Sequence, residues 1–250
     1  MVDIPALLEL AKSTAARAGE RLEKGGHLED FSFSEEFPRE VKSLADAVLE
    51  DVILGALSGT GLEILSEERG LVPGARPGGH RFIVDPLDGT FNHLRNLGPC
   101  AVSIALWEAD RPVFGVIFDI VKKSLCWGGK PLGAWRDGRE IRVSRIGDVS
   151  RAAICTGFPV RFDFSAEKAW GSFRDRVSPF AKVRMLGSAA SSLACVADGR
   201  AEAYFEENIM LWDVAAGIAI VEGAGGRVCW REKEGSLDVL ADNGCLETNL

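Results

Sequence analysis

The chain has few histidines and no cysteine pair at a metal-binding spacing. Its three histidines (27, 80 and 93) and six cysteines are scattered along the sequence. This argues against a zinc site of the HExxH kind or one built on CxxC. Since no secretion signal precedes them, we expect the cysteines to be free thiols. Soft-metal chemistry is therefore disfavoured, and a metal with oxygen ligands stays open.

The sequence also lacks long apolar runs and an excess of basic residues. Stretches such as 99–107 are far shorter than the roughly 20 residues that a membrane helix needs. The first ten residues carry two acids and no base, unlike a signal peptide. The net charge is −8, from 29 Lys+Arg against 37 Asp+Glu, which disfavours a nucleic-acid or membrane partner. We expect a cytoplasmic protein that would need a divalent metal to attract an anionic substrate.

The hydrophobic pattern divides the 250 residues into two halves. Over 1–137 it predicts an antiparallel sheet with two helices, 5–24 and 43–57, against it, the strands being 62–65, 81–84, 101–107, 113–121 and 124–127. Over 138–250 strands and helices alternate, which is typical of an α/β arrangement. No Pro- or Ser-rich linker separates the halves, so we expect a single packed body.

The strongest chemical signal is the segment Asp85-Pro86-Leu87-Asp88-Gly89-Thr90. It directly follows the strand predicted at 81–84, so both carboxylates are expected at a strand end, aimed into one cleft. Pro86 stiffens the turn, and Gly89 lets backbone N–H groups approach a ligand closely. Taken alone, the segment is also typical of an ordinary turn in which Asp side chains cap backbone groups.

Three further acidic positions accompany this segment. Ser66-Glu67-Glu68 follows a predicted strand, Trp212-Asp213-Val214-Ala215-Ala216-Gly217 begins a predicted helix, and Asp46 lies near the start of the second helix. Individually they are typical of a solvated loop, a capping Asp and a solvated helical acid. Their order along the chain carries more information than any one of them.

Together these segments resemble the inositol monophosphatase family of Mg²⁺-dependent phosphomonoesterases. Glu67-Glu68 is similar to its acidic pair, 85–90 to its DPxDGT motif and 212–217 to its WDxAxG motif. Asp46 and Gly187-Ser188-Ala189 stand where the family has an acid and a G-[ST]-A element. The resemblance covers about residues 5–245. It implies one fold of the sugar-phosphatase type over 1–250, a layered αβαβα sandwich of α+β and α/β character.

The resemblance also implies the roles of the site residues. Glu67, Asp85 and the Leu87 carbonyl would hold one Mg²⁺, and Asp85, Asp88 and Asp213 a second, with a third, weaker ion reached from Glu67 through water. In such a site one metal activates water and another stabilises the leaving oxygen. Thr90 with Asp46 would orient the attacking water, and the Gly89 and Thr90 amides would bind phosphate oxygens. The alcohol part of the substrate would lie near Gly187, Ser188, Ala189 and Glu206.

The substrate is less closely defined than the chemistry. The resemblance favours inositol 1-phosphate, with fructose 1,6-bisphosphate as the alternative if Arg95, Arg161 or Arg200 binds a second phosphate; Arg200 better suits a turn or a dimer contact. A nucleotide 3′-phosphatase and a non-catalytic binding module are less favoured, because no adenine pocket is evident and every expected acid is present. Lys42 departs from the family pattern. We expect a homodimer acting on a small phosphate ester.

Overall fold

The computed structural model describes residues 2–24, 31–33, 41–76, 78–158, 162–233 and 235–246. Six α-helices lie in this part of the chain: α1 Ile4–Lys24, α2 Leu44–Leu57, α3 Thr90–Arg95, α4 Glu167–Val177, α5 Ala189–Ala197 and α6 Leu211–Gly223. The strands are β1 Phe31–Phe33, β2 Val41–Ser43, β3 Glu63–Ser66, β4 Gly70–Val72, β5 His80–Asp88, β6 Ala101–Glu108, β7 Arg111–Asp119, β8 Ser124–Gly129, β9 Gly133–Arg136, β10 Arg139–Glu140, β11 Ala153–Thr156, β12 Lys182–Arg184, β13 Ala203–Ile209, β14 Arg227–Lys233 and β15 Ser236–Asp242.

The first two helices cover one face of an eight-stranded sheet. Small residues on α1, among them Ala11, Ala15 and Ala18, are fully buried and let the helix approach the sheet closely. Helix α2 begins after Ser43, whose side chain accepts a hydrogen bond from Asp46 N while Asp46 accepts one from Ser43 N. This capping box satisfies two backbone donors at the helix start.

The large sheet has the order β10-β9-β8-β7-β6-β5-β3-β4. Strand β3 runs parallel to β5, whereas every other pair in this sheet is antiparallel. The prediction of a wholly antiparallel sheet is therefore wrong at one pair. The chain reaches β5 by way of the short strand β4, so β3 and β5 are not joined by a hairpin, and both deliver their carboxyl ends to the same edge.

Strand β5 is longer than the sequence predicts. We expected it to stop at Val84, but it continues to Asp88 with an irregular register between Asp85 and Asp88 opposite β6. A bulge of this kind re-aims side chains on the bulged strand. The two acidic residues thus lie within a distorted strand rather than in a turn that follows it.

The second sheet, β12-β11-β13-β15-β14, is parallel at β11, β12 and β13 and antiparallel at β13, β14 and β15. Helices α5 and α6 lie between the two sheets, and one buried cluster joins residues such as Ile83 and Ala105 of the first half to Leu193 and Val214 of the second. Val177 of α4 packs on a separate apolar cluster that includes Ile154 of the second sheet. The expected αβαβα layering is confirmed.

Glycines permit the close approach of α6 to its neighbours. A Cβ atom on Gly115 of β7 would lie 2.1 Å from Ala216 O, and one on Gly217 would lie 2.4 Å from Leu193 Cδ1. Both distances are far below normal van der Waals contact. Within the described ranges, no helix is long and apolar enough to span a membrane.

Candidate active site

Five acidic side chains meet at the edge of the first sheet where β3 and β5 end. Because Ser66 pairs with Val84 in register, Glu67 and Asp85 become neighbours, and Glu67 N donates to Val84 O at 3.2 Å. The first turns of α2 and α6 bring two more acids to this edge. We call the set the acidic cluster; it consists of Asp46, Glu67, Asp85, Asp88 and Asp213.

Asp85 lies at the centre of the acidic cluster. Its side chain is 1 % exposed, and Asp85 Oδ1 accepts a hydrogen bond from Leu87 N at 2.9 Å. Burial raises its pKa well above the ordinary value, and the charges of Glu67, Asp88 and Asp213 add to this. The side chain of Glu67 is hydrogen-bonded to Asp85, and burial raises the pKa of Glu67 to about 8. Two carboxyl groups in contact must share a proton unless a cation lies beside them.

Asp88 is held by the first residues of α5. Ser188 Oγ donates to Asp88 Oδ2, Ala189 N donates to Oδ1 at 3.1 Å and Ala190 N donates to Oδ2 at 3.0 Å. These bonds oppose the effect of burial, yet the pKa of Asp88 is still raised to about 6. Ser188 and Ala189, both predicted to contact substrate, thus donate hydrogen bonds to a carboxylate of the acidic cluster.

Thr90 joins Asp46 to the turn that follows β5. Its hydroxyl lies 2.9 Å from Asp46 Oδ1 and 2.9 Å from Leu87 O, so its single proton has two possible acceptors. Ser43 Oγ donates to Asp46 Oδ2 at 2.5 Å. Burial nevertheless raises the pKa of Asp46 to about 6. A partly buried, hydrogen-bonded hydroxyl–carboxylate pair of this kind can hold a water molecule and accept its proton.

Two half-buried acids from the second half of the chain complete the site. Asp213 Oδ2 accepts a hydrogen bond from Met210 N at 3.2 Å at the start of α6, and burial together with the charge of Glu67 raises its pKa well above normal. Glu206 lies on β13, where Tyr204 Oη donates to Glu206 Oε2 at 3.0 Å. Burial raises the pKa of Glu206 to about 7, and Asp88 adds to the shift.

The donor chemistry of the acidic cluster fits a hard cation such as Mg²⁺. In the described part of the chain, no Lys, Arg or His forms an ion pair with any of its five carboxyl groups. Burial raises the pKa of all five groups, and charges within the cluster add to the shift at Glu67, Asp85 and Asp213. Mg²⁺ prefers carboxylate and carbonyl oxygens. Among the same residues, no three Asp, Glu, His or Cys side chains are already arranged as a metal cage.

The sequence model of the inositol monophosphatase family matches residues 4–249. The chain belongs to this family. It is 36 % identical over 96 % of its length to the inositol-1-monophosphatase of Mesorhizobium japonicum, of which 90 % is covered. It is 29 % identical over 98 % of its length to a fructose-1,6-bisphosphatase/inositol-1-monophosphatase of Aquifex aeolicus, with 94 % covered. The crystal structure of the extragenic suppressor protein suhB from Bartonella henselae superposes with a TM-score of 0.85 at 33 % identity, covering 95 % of this chain and 94 % of that one.

As a member of the inositol monophosphatase family, the chain is a phosphatase by family. The arginines predicted on the substrate side lie in different surroundings. Arg95 is exposed at the end of α3, its guanidinium carbon 6.0 Å from the centre of the Phe91 ring. This short helix begins directly at Thr90. Arg200 binds Asp198 through two hydrogen bonds of 2.7 Å, which supports a turn. Arg161 lies outside the described residues.

Two residues of this site, Tyr204 and Asn92, were not predicted from the sequence. Tyr204 is the only tyrosine in the chain and stands two residues before Glu206 on one strand, a spacing that places both side chains on one face. That spacing could have identified it. Asn92 follows Thr90 by two residues and contacts three backbone carbonyls. No local pattern predicts those contacts, because Leu186 and Gly187 are more than ninety residues away in the chain.

Proposed function

We propose that this chain is a Mg²⁺-dependent phosphomonoesterase that hydrolyses a small polyol or sugar phosphate, with inositol 1-phosphate as the first candidate. The observation that carries the proposal is the acidic cluster, five carboxyl groups whose pKa values are all raised by burial and one of which, Asp46, accepts a hydrogen bond from the Thr90 hydroxyl. Such a set needs divalent cations to be fully ionised at neutral pH. It also supplies the base that phosphate-ester hydrolysis requires.

Within this proposal the acidic cluster provides two overlapping sets of metal ligands. Glu67, Asp85 and the Leu87 carbonyl would form the first set, and Asp85, Asp88 and Asp213 the second. Bound Mg²⁺ would lower the pKa of an attacking water and stabilise the leaving ester oxygen. The proposed number is two ions, or three if a further one is reached from Glu67 through water.

Thr90 and Asp46 would orient the water and take its proton. The Thr90 hydroxyl already lies 2.9 Å from Asp46 Oδ1, so a proton received at Thr90 Oγ1 can be passed to that carboxylate. The raised pKa of Asp46, about 6, makes it a stronger base than an exposed Asp while leaving it ionised at neutral pH. A catalytic base is most effective when its pKa lies close to the working pH.

The substrate's two ends would then contact different parts of the chain. The Gly89 and Thr90 amides are proposed to bind phosphate oxygens, helped by the left-handed backbone of Gly89 (φ 86°). The alcohol would lie beside Gly187, Ser188, Ala189 and Glu206. Glu206 suits a hydroxyl group because its carboxylate accepts hydrogen bonds, and Gly157 leaves room for that carboxylate, since a Cβ atom there would lie 1.9 Å from Glu206 Oε1.

Fructose 1,6-bisphosphate is the second candidate substrate. It is favoured by the Aquifex aeolicus relative, whose name carries both activities, and by the exposed guanidinium of Arg95 on the helix that begins at Thr90. An arginine can bind two phosphate oxygens at once through its planar fork. This candidate would act alone or as a dual activity with the first.

A phosphate-release assay on the purified protein tests the proposal. The panel contains inositol 1-phosphate, fructose 1,6-bisphosphate and adenosine 3′,5′-bisphosphate, each with Mg²⁺ and with excess EDTA. We expect Mg²⁺-dependent release from at least one of the first two. Release only from the nucleotide would replace the substrate class. Release from none, or full turnover in EDTA, would contradict the proposed function.

A further inference from the structure

The side chain of Asn92 connects two segments of the site. Its Nδ2 lies 2.7 Å from Leu186 O, 2.9 Å from Pro99 O and 3.3 Å from Gly187 O. All three neighbours are carbonyl oxygens, which only accept hydrogen bonds, so the atom facing them must be the amide nitrogen. One side chain of α3 therefore binds the loop that follows α3 and the segment that leads into α5.

The backbone around Asn92 leaves little room for another arrangement. Gly187 has a left-handed φ of 69°, and a Cβ atom there would lie 3.0 Å from Asn92 Nδ2. A Cβ atom on Gly89 would lie 2.9 Å from Pro99 O and 3.1 Å from Gly187 O. The two glycines thus allow the phosphate-side turn and the α5 segment to approach each other, and Asn92 supplies the hydrogen bonds between them.

The segment that Asn92 binds continues directly into the donors that hold Asp88. Ser188, Ala189 and Ala190 follow Gly187 and donate to both oxygens of the Asp88 carboxylate. A shift of this segment would therefore move all of these donors together. In the described part of the chain, the hydrogen bonds of the Asn92 side chain go to these three carbonyl oxygens, so the hydrogen-bonded path from Asn92 to Asp88 runs through the start of α5.

We propose that Asn92 is a positioning residue that sets the Mg²⁺ affinity of the site, by fixing the start of α5 where its donors orient Asp88. The proposal rests on the proposed function, in which Asp88 is a metal ligand. It separates Asn92 from Thr90, which acts on the water. Loss of Asn92 should weaken metal binding, whereas loss of Thr90 should slow turnover at saturating metal.

Variants of Asn92 separate the effect of its hydrogen-bond donor from the effect of its side-chain volume. Asn92→Ala should raise the Mg²⁺ concentration for half-maximal activity by about tenfold or more, with kcat at saturating Mg²⁺ within about threefold of wild type. Asn92→Asp keeps the shape but sets a carboxylate against three carbonyl oxygens, so it should be worse than Asn92→Ala. Leu97→Ala, an exposed change just after α3, is the control and should match wild type.

Two readouts do not depend on turnover. Titration calorimetry with Mg²⁺ should show the same loss of affinity. Hydrogen exchange should be faster at the Ala189 and Ala190 amides of Asn92→Ala and unchanged at Ile104 in β6. An unchanged Mg²⁺ dependence, an Asn92→Asp variant equal to wild type, or faster exchange throughout the chain would overturn the proposal. If wild type hydrolyses no ester, the proposed function fails, while calorimetry and exchange still decide the role of Asn92.

Discussion

Asp85 is the carboxylate whose pKa is raised by burial and by the charges of three other members of the acidic cluster, Glu67, Asp88 and Asp213. A side-chain hydrogen bond with Glu67 adds to the shift, which takes the pKa of Asp85 well above the ordinary value. No other residue is assigned to both proposed ligand sets. Its replacement should therefore have the largest effect of any single change.

Asp85→Asn should lower kcat/KM by roughly 10³ or more, about 4 kcal/mol of barrier. The amide keeps the shape but removes the charge that both proposed ions share. Steady-state assays at several Mg²⁺ concentrations, with circular dichroism to verify folding, would measure it. A folded variant that keeps more than about a tenth of the wild-type rate would mean that another residue bridges the ions.

Thr90→Ala should lower kcat and leave Mg²⁺ affinity nearly unchanged. The hydroxyl is a water-positioning group and not a proposed ligand, so its loss belongs to the chemical step. Rates measured over a range of Mg²⁺ concentrations separate the two quantities. Weakened Mg²⁺ binding with a normal rate at saturation would assign Thr90 to the metal instead.

Helix α2 sets the protonation of the proposed base through its capping box. The 2.5 Å hydrogen bond from Ser43 Oγ to Asp46 Oδ2 lowers the pKa of Asp46, and Ser43→Ala removes this bond. The pKa of Asp46 should therefore rise in the variant, and the acid limb of the kcat/KM profile should move to higher pH by roughly one unit, the effect of one hydrogen bond to a charged group.

Ser58→Ala is the matched control for that change, because Ser58 lies at the other end of α2 and donates to Leu54 O at 2.6 Å. Both variants should lose stability, Ser43→Ala by about 1 kcal/mol because it removes a Ser N-cap. Only Ser43→Ala should move the acid limb. Equal pH profiles for the two variants would remove Asp46 from the role of base.

Helix α3 carries the arginine that would separate the two substrates. Arg95→Ala should lower kcat/KM on fructose 1,6-bisphosphate by about 1.5–3 kcal/mol, the scale of a hydrogen bond to a charged group. Inositol 1-phosphate has no second phosphate, so its kcat/KM should barely change. Parallel assays on both esters test this, and equal losses would mean that Arg95 only supports α3 through Phe91.

The whole molecule should be least stable where the acidic cluster is ionised without metal. Burial raises the pKa of Glu67 from 4.5 to about 8, so the folded state binds more protons than the unfolded state between these values. Stability therefore falls as pH rises through this window. In EDTA the melting temperature should decrease from pH 5 to pH 8.

Added Mg²⁺ should reverse that loss, most strongly at pH 8, because cations bind the deprotonated carboxylates of the folded state. Scanning calorimetry with and without Mg²⁺ measures both effects. A melting temperature that rises with pH in EDTA would contradict the raised pKa values.

A single transition in the same scans would support the predicted single body over 1–250. Light scattering would test the predicted homodimer.

The sequence by itself determined the acidic set and most of the elements. Helix α2 was predicted correctly because its signals are local, a Ser N-cap and an apolar stripe. Glu67, the 85–90 segment and Asp213 were singled out because, in this order along the chain, they resemble motifs of the inositol monophosphatase family. Chemistry that depends on residue type and short spacing can be deduced from the chain alone.

Only the tertiary structure decided how these residues contact one another. The parallel pairing of β3 and β5, which makes Glu67 and Asp85 neighbours, depends on strand order and has no local signature. The continuation of β5 to Asp88 follows from pairing with β6, which overrides the turn signal of Pro86 and moves the turn to Gly89. The hydrogen bonds of Ser188 to Asp88 and of Asn92 to Leu186 join residues about a hundred positions apart. Such contacts form only when the packing of the layers brings the segments together.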